Sequence, residues 1–183
     1  MKQRVREAAF NLIGKRVVGT HVVDLFAGTG ALTWEALSRG AVSAVLLERH
    51  FPSIRILHAN AAALGVTDGV TVLAGDTFLG IRHLPVEAPN LAESHPWLVF
   101  CSPPYDFYIS QRDAMLELIQ HVIDLAPPRS LIFVEADRRL AADSLPHCIS
   151  WDRREYPPAT LSVGEIEGAT SGDLQPLWDA DGP

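Results

Sequence analysis

The sequence predicts an α/β fold, a doubly wound and mostly parallel sheet that closes with an antiparallel hairpin. Three observations predict it. Short apolar runs alternate with stretches of helical period between residues 21 and 135. The first run, His21 to Phe26, breaks into Ala27-Gly28-Thr29-Gly30 and passes straight into a helical pattern. That order is the ligand-binding end of an open parallel sheet. Two strand-like stretches within residues 148–166 flank Pro157-Pro158, which places a hairpin at a sheet edge.

Each element has its own signal. Residues 2–13 read as a helix with Val5, Ala9, Leu12 and Ile13 on one face and Gly14 placed to end it. Val22, Val23, Leu25 and Phe26 form a strand buried on both faces. The helix from Ala31 closes at Gly40, and Ser43 to Glu48 is a second buried strand that ends in an acid. Residues 52–64 are helical, with Ile54, Leu57, Ala61 and Leu64 in register and Gly65 as the stop. Val70 to Ala74 is a third strand, followed by Gly75-Asp76-Thr77. Residues 85–96, with Pro85, Pro89 and Pro96, form a loop. Trp97 to Cys101 is a fourth strand running into Ser102-Pro103-Pro104-Tyr105. Ser110 with Asp113 has the spacing of a helix-capping pair, and Met115, Leu118, Ile119 and Val122 make that helix's buried face. Ser130 to Glu135 is the fifth strand. From Gly168 the Gly, Ser, Asp and Pro content predicts disorder, so the domain is residues 1–166 and residues 167–183 an acidic tail.

A chain of 183 residues has the size of one domain. No apolar run approaches a membrane span, and the N-terminus lacks the apolar centre of a signal peptide. Cys101 and Cys148 make neither a disulfide framework nor metal-ligand spacing; they are expected as small buried residues in a reducing cytoplasm. The net charge of −7 argues against a general nucleic-acid coat. The average hides a basic N-terminal end, with Lys2, Arg4, Arg6, Lys15 and Arg16, and an acidic C-terminal one.

The Gly turn admits two ligands. A nicotinamide or flavin dinucleotide uses G-x-G-x-x-G, but Thr33 stands where the third glycine belongs. S-adenosylmethionine is the second. Asp24-Leu-Phe-Ala-Gly-Thr-Gly30 resembles the first motif of class I methyltransferases. By that resemblance Glu48 accepts the ribose hydroxyls and Asp76 reads the adenine amine. All three segments lie at predicted carboxyl ends of consecutive strands.

Ser102-Pro103-Pro104-Tyr105 then discriminates. It resembles the (D/N/S)-P-P-(Y/F/W) turn of methyltransferases that modify exocyclic or amide nitrogens. An aryl amine is a poor nucleophile because its lone pair is delocalised into the ring. Acceptors at the Ser102 side chain and the Pro103 carbonyl can hold its two hydrogens and aim the lone pair at the methyl group. The prolines keep those acceptors aimed, and Tyr105 offers a face on which a flipped base can stack. Phe107 or Tyr108 could line the base pocket or pack beneath the loop.

With these blocks in place, the chain resembles the bacterial small-subunit ribosomal RNA guanine-N2 methyltransferases of the RsmD type. The likeness runs through Arg4 to Ile13, Asp24 to Ala31, Glu35 to Ala41, Glu48, Asp76 and the Pro-Pro-aromatic turn, about residues 3–166. It implies a Rossmann-like seven-stranded sheet with its last strand antiparallel, a cytoplasmic monomer, and methylation of ribosomal RNA in the assembling small subunit. The implied cofactor contacts are Asp24, Phe26, Ala27, Gly28, Thr29, Gly30, Glu48, Arg49, Asp76 and Thr77. The implied catalytic turn is Ser102, Pro103, Pro104 and Tyr105, with neither a metal nor a covalent enzyme intermediate. The family usually has Asp or Asn at the position of Ser102. It also usually opens with a basic stretch ahead of the first helix, whereas this chain starts almost at that helix, so phosphate neutralisation should contribute less to RNA affinity. Alternatives are the same chemistry on adenine N6, a DNA base or a protein amide, and a catalytically silent cofactor-binding homologue.

Overall fold

The computed structural model describes residues 3–84, 91 and 95–167. Seven strands form one sheet: β1 (His21–Asp24), β2 (Ser43–Glu48), β3 (Val70–Ala74), β4 (Trp97–Cys101), β5 (Leu131–Asp137), β6 (Trp151–Tyr156) and β7 (Ala159–Glu165). Their order is β3-β2-β1-β4-β5-β7-β6. The first five are parallel, and β7 runs against both β5 and β6. The hairpin turns at Pro157-Pro158, whose peptide bond is cis. The parallel sheet with an antiparallel closing strand agrees with the sequence.

Alternate residues along each strand face opposite sides, and the two sides hold two cores. Val23, Val45, Val99 and Ile132 pack with Met115, Leu118, Ile119 and Val122 of a helix spanning Arg112–Leu125. Val22, Leu46, Leu98, Phe100 and Phe133 pack with α1 (Gln3–Ile13), α2 (Ala31–Ser38) and α3 (Phe51–Leu64). Phe10 of α1 meets Phe100 edge-on at 6.0 Å, and Phe100 meets Phe133 at 5.7 Å. Phe10 is thus a core residue of α1 beside Val5, Ala9 and Ile13, whereas Leu12 is only partly buried.

Two expectations need correction. The helix after the tetrapeptide does not begin at Ser110. A short α5 (Phe107–Ser110) comes first, and α6 (Arg112–Leu125) follows with no side-chain cap. Ser110 instead donates its hydroxyl to the Asp106 carbonyl, so it serves the end of α5. Cys101 is buried in β4 as expected, but Cys148 is exposed. The proposed loop at Pro85 and Pro89 and the tail from Gly168 lie outside the described residues. Among the described residues no helix is long and apolar enough to cross a membrane.

The strand order reverses between β1 and β4, so the helices after these strands leave on opposite faces. The gap outside the carboxyl ends at such a switch point is where open α/β sheets bind ligands. Register places the ends level: Asp24 pairs with Leu46 on one side and Phe100 on the other.

Candidate active site

The strand β1 ends at Asp24, and Leu25 hands its N–H to the Phe100 carbonyl at 2.9 Å before the chain turns away. The turn needs its glycines. Gly28 and Gly30 have φ of +56° and +82°. A Cβ on Gly30 would also stand 2.4 Å from the Trp34 indole nitrogen. Trp34 sits there because its indole N–H donates to the Thr29 carbonyl at 2.8 Å. The positive φ and the nearby indole together favour glycine at position 30.

Glu48, the last residue of β2, is bound to this turn. Its Oε2 accepts the Gly28 N–H at 2.7 Å, and its Oε1 accepts the His50 N–H at 2.8 Å. Both carboxylate oxygens keep a further lone pair. Asp76, beyond β3, caps α4 (Thr77–Gly80) by accepting the Phe78 N–H at 2.9 Å. Thr77 is buried and donates its hydroxyl to the Leu25 carbonyl, which ties this third corner back to the first.

Asp24 is buried, with its Oδ2 accepting the Thr33 hydroxyl at 2.8 Å and its Oδ1 without a partner. Burial pushes its carboxyl up to about 7, against the pull of the Thr33 hydroxyl and the Phe26 backbone N–H. Thr33, the residue in place of a third glycine, is therefore the donor that Asp24 requires.

These corners surround a cleft of about 730 Å³. All the residues read as cofactor contacts, from Asp24 through Thr77, line it, Gly30 excepted, and so do Ser102, Pro103, Pro104 and Tyr105. Gly30 shapes the turn from behind. One wall is aromatic: Phe26, Phe78 and Phe107 lie 6.1–6.5 Å apart. The exposed Arg49 guanidinium covers Phe107 at 5.4 Å. The alternatives for the residues after Tyr105 separate: Phe107 lines the cleft, whereas Tyr108 is buried with its hydroxyl 3.7 Å from Cys101 Sγ.

A residue that sequence reasoning did not single out completes the site. Glu135 of β5 is 3% exposed and lines the same cleft. Ser102 donates its hydroxyl to Glu135 Oε2, and Tyr105 donates to Oε1 at 2.7 Å. Burial and the Glu135 carboxylate push the Tyr105 phenol well up, so it stays a donor. The available signal was an acid closing an apolar strand, the pattern that singled out Glu48. Among the described residues no cluster of three or more His, Cys, Asp or Glu side chains is placed to hold a metal ion.

The chain is similar to known proteins over most of its length. The family described as Conserved hypothetical protein 95 matches residues 1–163. "Putative rRNA methyltransferase YlbH" of Bacillus subtilis is 33% identical over 142 residues, covering 69% of this chain and 77% of its own. "Ribosomal RNA small subunit methyltransferase D" of Escherichia coli K12 is 31% identical over 137 residues, covering 73% of this chain and 62% of its own. The chain thus spans less than two thirds of the length of that second relative. The solved structure "Putative methyltransferase yhhF" of Escherichia coli superposes with a TM-score of 0.74 at 26% identity, covering 91% of this chain and 88% of its own. A family match over nearly the whole described chain, on a sheet of matching architecture, shows that the chain belongs to the Conserved hypothetical protein 95 family, that of the RsmD-type methyltransferases.

Proposed function

We propose that this chain transfers a methyl group from S-adenosylmethionine to the exocyclic N2 of a guanine in small-subunit ribosomal RNA. The carrying observation is that the Gly turn and the Ser-Pro-Pro-Tyr turn open onto one cleft. The named activities of the relatives add ribosomal RNA as the substrate class. The reading includes action as a cytoplasmic monomer on the assembling subunit, with residues 1–166 as the working domain.

The residues fit the cofactor on two counts. Asp24 keeps a buried oxygen without a partner and Glu48 keeps free lone pairs, so both can accept from donors on the cofactor. The Gly turn keeps side chains out of the ligand's way. When bound, S-adenosylmethionine supplies an electrophilic methyl carried on a sulfonium. Glu48 receives the ribose hydroxyls, and Asp76 receives the adenine amine with the oxygen that does not cap α4. Phe26, Ala27, Thr29, Arg49 and Thr77 line the sides.

On the acceptor side, the Ser102 hydroxyl oxygen and the Pro103 carbonyl take the two amine hydrogens and orient the lone pair. Pro103 and Pro104 hold that geometry. Tyr105 gives the base a ring to stack on, and its bond to Glu135 limits how the ring turns.

Titration calorimetry with S-adenosylhomocysteine tests the first half of the reading. Saturable heat at one site is expected, and no heat at saturating ligand would sink it.

A further inference from the structure

We infer that Glu135 is a positioning residue that acts through Ser102, making its hydroxyl an obligate acceptor for the substrate amine and receiving the proton the amine sheds. The inference rests on the methyl-transfer reading above. It begins from the departure at position 102. A carboxylate can only accept hydrogen bonds, whereas a hydroxyl has one proton and two lone pairs. A free serine could turn its proton toward the amine nitrogen and occupy the very lone pair that must attack. In this structure that proton is committed, because Ser102 donates to Glu135 Oε2. Only the lone pairs of Ser102 remain for the cleft.

The arrangement is held from several sides. Glu135 lies one residue beyond Val134, which pairs with Cys101, so it stands level with Ser102 across the β4–β5 ladder. On its other side it pairs with Leu161 of β7. Tyr105 donates to Oε1 at 2.7 Å, which turns Oε2 toward Ser102 and leaves neither oxygen of this buried carboxylate unpartnered.

The same contacts define a path for the proton. As the nitrogen–methyl bond forms, the carbon–sulfur bond breaks and its electron pair stays on sulfur. An N–H of the resulting cationic amine breaks toward Ser102 Oγ while the Ser102 O–H breaks toward Glu135 Oε2. The product leaves as a neutral secondary amine, and Glu135, now a carboxylic acid, returns its proton to water.

The test is labelled-methyl transfer to immature small subunits by wild type, Glu135→Gln, Ser102→Ala and the double variant, with S-adenosylhomocysteine calorimetry on each. Proton transfer of this kind contributes about 10²-fold or more. Glu135→Gln should lower kcat about 100-fold with KM and cofactor affinity within about twofold of wild type. On the Ser102→Ala background it should add nothing, since coupled residues are not additive. Ser102→Asp placed on Glu135→Gln should recover at least about tenfold, because a carboxylate has no proton to misdirect. Wild-type rate in Glu135→Gln, an undiminished effect on the Ser102→Ala background, or loss of cofactor binding in Glu135→Gln would each overturn the inference while leaving methyl transfer standing. A wild type that binds cofactor but transfers no label would overturn both.

Discussion

Two buried carboxylates stand at the carboxyl ends of β1 and β5, separated by β4, and the fold treats them differently. Asp24 is 2% exposed and Glu135 is 3% exposed. Glu135 has a hydroxyl donor on each oxygen. Asp24 has one side-chain donor, Thr33, and a backbone one, the Phe26 N–H, while its Oδ1 lies outside hydrogen-bond geometry. A buried acceptor without a partner is costly, so it persists where something other than stability maintains it. A carboxylate left incomplete beside the Gly turn thus differs from one completed by the Ser-Pro-Pro-Tyr turn. The first is left partly unsatisfied by the protein; the second organises side chains.

The largest expected effect concerns Asp24. Its folded value, about 7, lies above its ordinary 3.8, so the folded state holds a proton that the unfolded state loses between those values. Stability is then fully present below about pH 4 and declines as pH rises toward 7. Asp24→Asn should abolish that decline. Urea unfolding should show the difference between variant and wild type changing by about 4 kcal/mol across this range, in favour of the variant at high pH. A difference independent of pH would contradict the raised value of Asp24.

Next comes Thr33→Val, which keeps shape but removes the one side-chain donor Asp24 has. It should cost about 2–3 kcal/mol at neutral pH, measured by the urea midpoint at an unchanged slope. Tyr105→Phe makes the matching cut at Glu135, which keeps its bond from Ser102. It should cost about 1 kcal/mol and leave S-adenosylhomocysteine affinity unchanged by calorimetry. If Tyr105→Phe proved the costlier of the two, the asymmetry drawn between the carboxylates would be wrong.

The contrast also explains what was legible in the sequence. Gly28 and Gly30 announce themselves because a positive φ is a local demand that few residues meet. Glu48 and Asp76 were legible because each ends or follows a recognisable strand. Thr33 looked like a gap in a dinucleotide fingerprint, and its work for Asp24 needed the packing of α2 on β1 to be seen. Glu135 went unread because its partners lie 33 and 30 residues away, brought level only by the β4–β5 ladder. The start of α6 was misplaced for a related reason. The spacing of Ser110 and Asp113 satisfies a capping rule, but the turn from Asp106 to Ser110 claims Ser110 first.

The central claim is that the two turns meeting at this cleft methylate guanine in ribosomal RNA. Transfer of labelled methyl to immature small subunits, followed by digestion to nucleosides, tests it most directly. The account predicts label in N2-methylguanosine and its loss in Tyr105→Ala. Label in N6-methyladenosine, in DNA or in protein would contradict it.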